Sequence, residues 1–162
     1  MRSPTLAPVF FATIAVLALS GCTPAPAAPD PDELRAWQND RSGLEEGPGV
    51  LGAMTGGAAP TDAAPTDAPP DQPHGTTMAF ASDVDIDSVD VTCFGEARIS
   101  VEVEFTGASS GRTVGGEGVP CADGTFTAEN PLSGRTFTVR VDVYDADVET
   151  AWRAIVRGAE AG

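Results

Sequence analysis

Apolar and polar residues alternate with a period of two along the second half of the chain. Ile99, Val101, Val103 and Phe105 are interleaved with Arg98, Ser100, Glu102 and Glu104, so an extended backbone puts four apolar side chains on one face and the charges on the other. The same alternation sets Phe137, Val139, Val141 and Val143 against Thr136, Thr138, Arg140 and Asp142. Val89 and Val91 share a face with Cys93, and Met78 with Phe80 marks another short strand. Clean alternation of this kind belongs to antiparallel sheets with one wet face. Turn-forming clusters separate the runs. Phe94-Gly95-Glu96 has the composition of a tight hairpin, residues 107–118 read as a long, flexible Gly/Ser connection, and Asn130-Pro131-Leu132-Ser133-Gly134 reads as a loop. Roughly four to seven short strands at this spacing predict a small antiparallel β-sandwich over residues 76–162.

One stretch fits two patterns. Val148, Ala151, Trp152 and Ile155 fall at helical spacing between Asp147 as a cap and Gly158 as a stop. Trp152, Ala154 and Val156 also alternate, as a closing strand would.

The N-terminus follows a different rule. Arg2 precedes an apolar run of about 14 residues that contains Phe10, Phe11, Ile14, Val16 and Leu17. A spanning helix needs about 20 apolar residues, so this run is an export signal and not a permanent anchor. Its end, Leu19-Ser20-Gly21-Cys22, resembles the lipobox of bacterial lipoprotein signal peptides. The resemblance implies a signal peptide over residues 1–21, cleavage between Gly21 and Cys22, and a diacylglycerol on the Cys22 thiol. The mature protein would then sit on the cell membrane and face the extracytoplasmic side. Two acyl chains hold a protein on a bilayer far more firmly than one.

Residues 22–75 lack the apolar bulk that offsets chain entropy. Pro, Ala, Asp and Thr dominate, and Ala59-Pro60-Thr61-Asp62-Ala63 recurs directly as Ala64-Pro65-Thr66-Asp67-Ala68. The composition predicts a disordered or polyproline-like tether between anchor and domain. It is interrupted by one short helix over residues 31–40. Asp30 is placed as its N-cap, Pro31 in its first turn and Glu33 at N3, with Leu34 and Trp37 on one side. Trp37 is expected to dock back on the domain, the alternative being an anchor for a partner.

Composition narrows the partners. The 162 residues carry 24 acidic and 9 basic side chains, every basic one an Arg, for a net charge of -15. Such a surface repels nucleic acid phosphates and anionic headgroups, so no nucleic acid partner is expected. Export also changes the meaning of Cys93 and Cys121. An even pair in an oxidising compartment, without CxxC spacing, predicts a disulfide and not zinc or thiol chemistry. By loop-closure entropy the bond contributes about 3.5 kcal/mol.

At this point a second resemblance enters. Cys93-Phe94-Gly95-Glu96-Ala97-Arg98-Ile99-Ser100-Val101, Val119-Pro120-Cys121-Ala122-Asp123-Gly124 and the closing Ala151-Trp152-Arg153 look like a group of uncharacterised lipoproteins from high-GC Gram-positive bacteria. The likeness covers about half the chain. It implies that the two Cys pair and that the Trp152 segment is a strand, and it carries over no catalytic residue.

The candidate chemistry is sparse. Asp83, Asp85, Asp87 and Asp90 form the most oxygen-rich set and are the weak candidates for calcium. The EF-hand pattern fails, with Ser88 where Gly is needed and Phe94 where the bidentate Glu belongs. On a strand, Asp residues two apart lie about 7 Å from one another, too far to share one ion. Glu102 and Glu104 alternate on a wet face, where nothing raises a carboxyl pKa. Gly115-Gly116-Glu117-Gly118 lacks the context of a phosphate loop, and His74, the one histidine, lies in the tether. No catalytic residue and no cofactor are therefore assigned. The expected function is a membrane-anchored module that meets an envelope protein or a cell-wall polymer. A calcium-dependent envelope-binding module and an envelope hydrolase are the alternatives.

Overall fold

The computed structural model describes residues 27–40, 47–60, 62, 64, 75–122, 124–132 and 135–160, Asp83 in its backbone only. One helix, α1 (Pro31–Asn39), precedes seven strands. These are β1 (Val50–Ala58), β2 (Thr76–Cys93), β3 (Arg98–Gly107), β4 (Gly111–Pro120), β5 (Thr125–Glu129), β6 (Thr136–Tyr144) and β7 (Thr150–Glu160). All pairings are antiparallel, in the order β1-β7-β2-β6-β3-β4, with β5 also on β2.

The sandwich arises because β2 serves in both of its layers. Over Thr76–Ala79 it pairs with β6, and from Val84 to Cys93 it pairs with β7 while its Ser88–Thr92 stretch takes β5 on the other flank. The register breaks between Ala79 and Val84 and again between Ile86 and Ser88, and bulges of this kind bend and twist a strand. One layer is thus β1-β7-β2-β5 and the other β2-β6-β3-β4. Their inward rows meet in a single core: Ile99, Val101, Val103 and Phe105 of β3, Val139 and Val141 of β6, Val89 and Val91 of β2, and Trp152, Ala154 and Val156 of β7. The alternation in the sequence marks these faces correctly. Phe137 and Val143, at the two ends of their row, are only half-buried.

The Cys93–Cys121 disulfide is formed. It joins the last residue of β2 to the residue after β4, and so ties the two layers at one corner. The strand reading of the last segment also holds. Strand β7 lies between β1 and β2 and is hydrogen-bonded on both flanks, an environment that overrides helical spacing. Asp147 caps no helix. Its carboxylate accepts the Arg98 N–H at 2.8 Å and its own N–H reaches the Arg98 carbonyl at 3.1 Å, which fixes the start of β3.

Several expectations are corrected. Residues 50–58, assigned to the tether, are strand β1 at the edge of the sheet. Residues 111–120, most of the expected Gly/Ser connection, are strand β4. The physical reason is the same in both. A side chain on Gly56 would stand 2.5 Å from the Trp152 ring, and one on Gly116 would stand 2.6 Å from the Phe126 ring. Beside the bulk of Met54, Leu51, Val114 and Val119, these strands carry glycines that leave room for a bulky neighbour, which makes their composition look like that of a linker. Trp152 completes its socket by donating its indole N–H to the Gly57 carbonyl at 3.1 Å. The Phe94-Gly95-Glu96 turn closes no hairpin, because β3 pairs with β4 and β6 and not with β2. It carries the chain from one layer to the other, with Gly95 at φ +79°.

Because β1 belongs to the sheet, the Ala/Pro/Thr/Asp repeat falls in sequence between two strands of one domain and not ahead of the domain, as the tether reading expected. Its first turn is folded. The Asp62 carboxylate takes the Ala59 N–H at 2.7 Å and the Asp62 carbonyl takes the Asp145 N–H at 3.1 Å. The second copy of the repeat, apart from Ala64, lies outside the described residues.

Replacing Gly56 by Ala should lower stability by about 1–3 kcal/mol through overpacking against Trp152. Ala at neighbouring Gly57, whose nearest contact would be an ordinary 3.8 Å, should leave the urea midpoint unchanged. The Cys93→Ser, Cys121→Ser pair should cost about 3.5 kcal/mol in the same assay.

Candidate functional site

Asp85, Asp87 and Asp90 of β2 do not converge. Asp85 and Asp87 point to solvent on either side of buried Ile86. After the bulge that follows Ile86 the phase shifts, so that Val89, Val91 and Cys93 face the core and Asp90 faces out. Asp90 is already engaged: it accepts from Arg157 Nε at 2.6 Å and from the Thr127 hydroxyl at 2.8 Å. Among the described residues there is no group of three or more His, Cys, Asp or Glu side chains that could hold a metal ion. Asp87 contributes through its backbone instead. Its carbonyl takes the Asn130 N–H at 2.8 Å, while the Asn130 side chain amide donates to the Ile86 carbonyl and the Thr136 hydroxyl.

The polar row of β3 and β6 is more organised. Glu102 lies opposite Asp142 and Glu104 opposite Arg140. Arg140 bridges two carboxylates, with Nη2 3.1 Å from Glu104 and Nε 2.9 Å from Asp142. One further position along β6, the Tyr144 hydroxyl donates to Glu102 at 3.4 Å. Burial raises the Tyr144 pKa above 10.0, and the adjacent Glu102 charge and hydrogen bond push in the same direction. Asp142 is the unusual member. It is only 4% exposed, and its Oδ1 has no hydrogen-bond partner. The Gly75 backbone presses on it, since a side chain there would stand 2.4 Å from that oxygen. The row can present the half-buried Glu102 and Glu104 carboxylates in fixed register to a donor-rich partner. Glu102 and Glu104, expected on a fully wet face, are half-buried within this ladder.

A third cluster lies beside the disulfide. The Trp37 ring of α1 stands 5.9 Å from the Phe94 ring, centroid to centroid. The Arg153 guanidinium covers the indole at 4.0 Å, and Arg153 Nη2 donates to the Trp37 and Asp40 carbonyls. Phe94 is held in turn by its N–H on the Ala151 carbonyl and by the Thr150 hydroxyl on its own carbonyl. Trp37 therefore docks on its own domain. The helix forms as its sequence predicts, with the Asp30 carboxylate accepting from the Asp32 N–H at 2.7 Å and the Glu33 N–H at 3.4 Å. Sequence reasoning missed the role of Arg153. The signal was present: β-alternation turns Arg153 outward wherever Trp152 turns in.

Gly21, Cys22 and His74 lie outside the described residues. No helix of the described residues is long and apolar enough to cross a membrane. No protein-family model matches the chain, and no curated protein or solved structure matches it either.

Tyr144 is the single tyrosine of the chain, so its ionisation can be followed by ultraviolet titration. Its midpoint should lie above 10.0, and Glu102→Gln should lower it part of the way, leaving the burial contribution. Stability that depends on neutral Tyr144 is complete below the unfolded pKa and is lost as pH rises through the folded one.

Proposed function

We propose that this chain is a membrane-anchored lipoprotein facing the extracytoplasmic side, which presents its β-sandwich as an interaction or structural module to an envelope protein or cell-wall polymer. The observation that carries the reading is the Cys93–Cys121 bond at the corner of the core. Disulfides of this kind persist in oxidising compartments, and the Arg2, apolar-run and Leu19-Ser20-Gly21-Cys22 order supplies the route to one. Cys22 is left over from the pairing, and a thiol at that place in the chain serves as the lipid attachment point. A binding role fits the polar row of Glu102, Glu104, Arg140 and Asp142 better than a chemical one, because its carboxylates are neutralised by Arg140 or bonded to Tyr144. The excess of acidic side chains favours a partner rich in hydrogen-bond donors or positive charge.

Expression of the full chain in a lipoprotein-processing bacterium should yield a mature protein that begins at Cys22 and carries the added mass of a diacylglycerol. Cys22→Ser should abolish that mass and move the protein out of the membrane fraction. A bare Cys22 thiol in the mature wild-type product would overturn the reading.

A further inference from the structure

Helix α1 has an unusual standing in the fold. None of its nine residues is buried, and it is held by the Trp37 ring on Phe94 and by Arg153, which covers the indole and caps the carbonyls at the helix end. Beside it, a groove of about 250 Å³ runs between Pro31, Leu34, Gln38 and Glu149, so the helix is not packed along its length. No strand depends on it, since the hydrogen bonds of β7 run to β1 and β2. A helix of this length is not stable alone in water. Its helical state therefore depends on these docking contacts.

Its place in the chain gives docking and release different mechanical consequences. With α1 docked, nine residues of sequence separate Cys22 from Pro31, a contour of at most about 30 Å. With α1 released, 28 residues of sequence separate Cys22 from Val50, a contour of up to about 95 Å. We propose that α1 is a releasable strap that sets how far the β-sandwich reaches from its membrane anchor. The idea rests on lipid attachment at Cys22. Docked, the domain is kept close to the bilayer. A partner that takes the Phe94–Arg153 seat, or takes Trp37 itself, shifts the population toward the long reach.

The test uses the lipidated full chain in phosphatidylcholine vesicles, with a fluorescent amino acid encoded at Ser109, in the exposed turn between β3 and β4, and an acceptor dye on the lipid. Energy transfer should fall in both Arg153→Ala and Trp37→Ala, as the contour from Cys22 rises about threefold. Trp37→Ala alters no residue of the sheet, so a folding defect in Arg153→Ala would not rescue or hide the result. In Arg153→Ala, acrylamide should also quench the tryptophan signal more strongly than in the wild type. Trp152, the other tryptophan, is only 3% exposed, so that change reports on Trp37. Unchanged transfer in both variants, with the lipid mass present, would overturn the strap while leaving the anchor intact. A bare Cys22 and no vesicle binding would overturn the anchor and the strap with it.

Discussion

The corner at Cys93 is where the structure is held together. Cys93 ends β2, lies opposite Trp152 of β7 and is bonded to Cys121 at the end of β4. A small domain buries a modest fraction of its surface, and a cross-link that removes unfolded-chain entropy is a large share of its net stability. The bond adds a covalent tie across the layers at the end of β2, which is already paired with β7 and β5 on its two flanks. The residue after the bond, Phe94, turns the chain into β3 and at the same time supplies the surface on which Trp37 rests. Core, layer crossing and helix seat thus share one covalent support.

Large side chains received by glycines are the second organising device. Trp152 fills the space over Gly56, and Phe126 fills the space over Gly116. Each pair lets a strand approach a bulky ring that a methyl group would displace. The arrangement draws β1 and β4, the two ends of the sheet order, onto the same domain as the hydrophobic strands. It also leaves edge strands whose sequences carry little apolar pattern of their own.

Two polar features stand outside this packing. The β3–β6 row is a ladder in which Arg140 compensates Glu104 and Asp142 while one Asp142 oxygen stays unmatched. The α1 seat is a small contact between an indole, a phenyl ring and a guanidinium. The first belongs to the rigid sheet and suits recognition. The second joins the sheet to α1 and is the contact on which the proposed strap depends. The Pro/Thr repeat falls in sequence between β1 and β2, inside the domain and not ahead of it.

What could be read directly from the chain was everything set by short-range periodicity and local chemistry. The β3 and β6 faces and the Asp30-capped helix follow from side chains that act within a few residues of one another, and the pairing of the last two cysteines from the even pair left once the N-terminal Cys22 is set aside. What only the tertiary structure decided was every element whose meaning lies in a distant partner. Gly52-Ala53-Met54-Thr55-Gly56-Gly57 resembles a linker until Trp152 is placed above it, and residues 111–120 resemble a flexible connection until β3 and Phe126 are beside them. Asp147 and Gly158 read as helix punctuation because local rules take no account of the strands on either side of β7. Arg153 becomes the clasp of α1 only once 116 residues of separation from Trp37 have been folded away. Propensity and alternation are local quantities, whereas a socket, a layer crossing and a trans cap exist only between residues that the folded chain brings together.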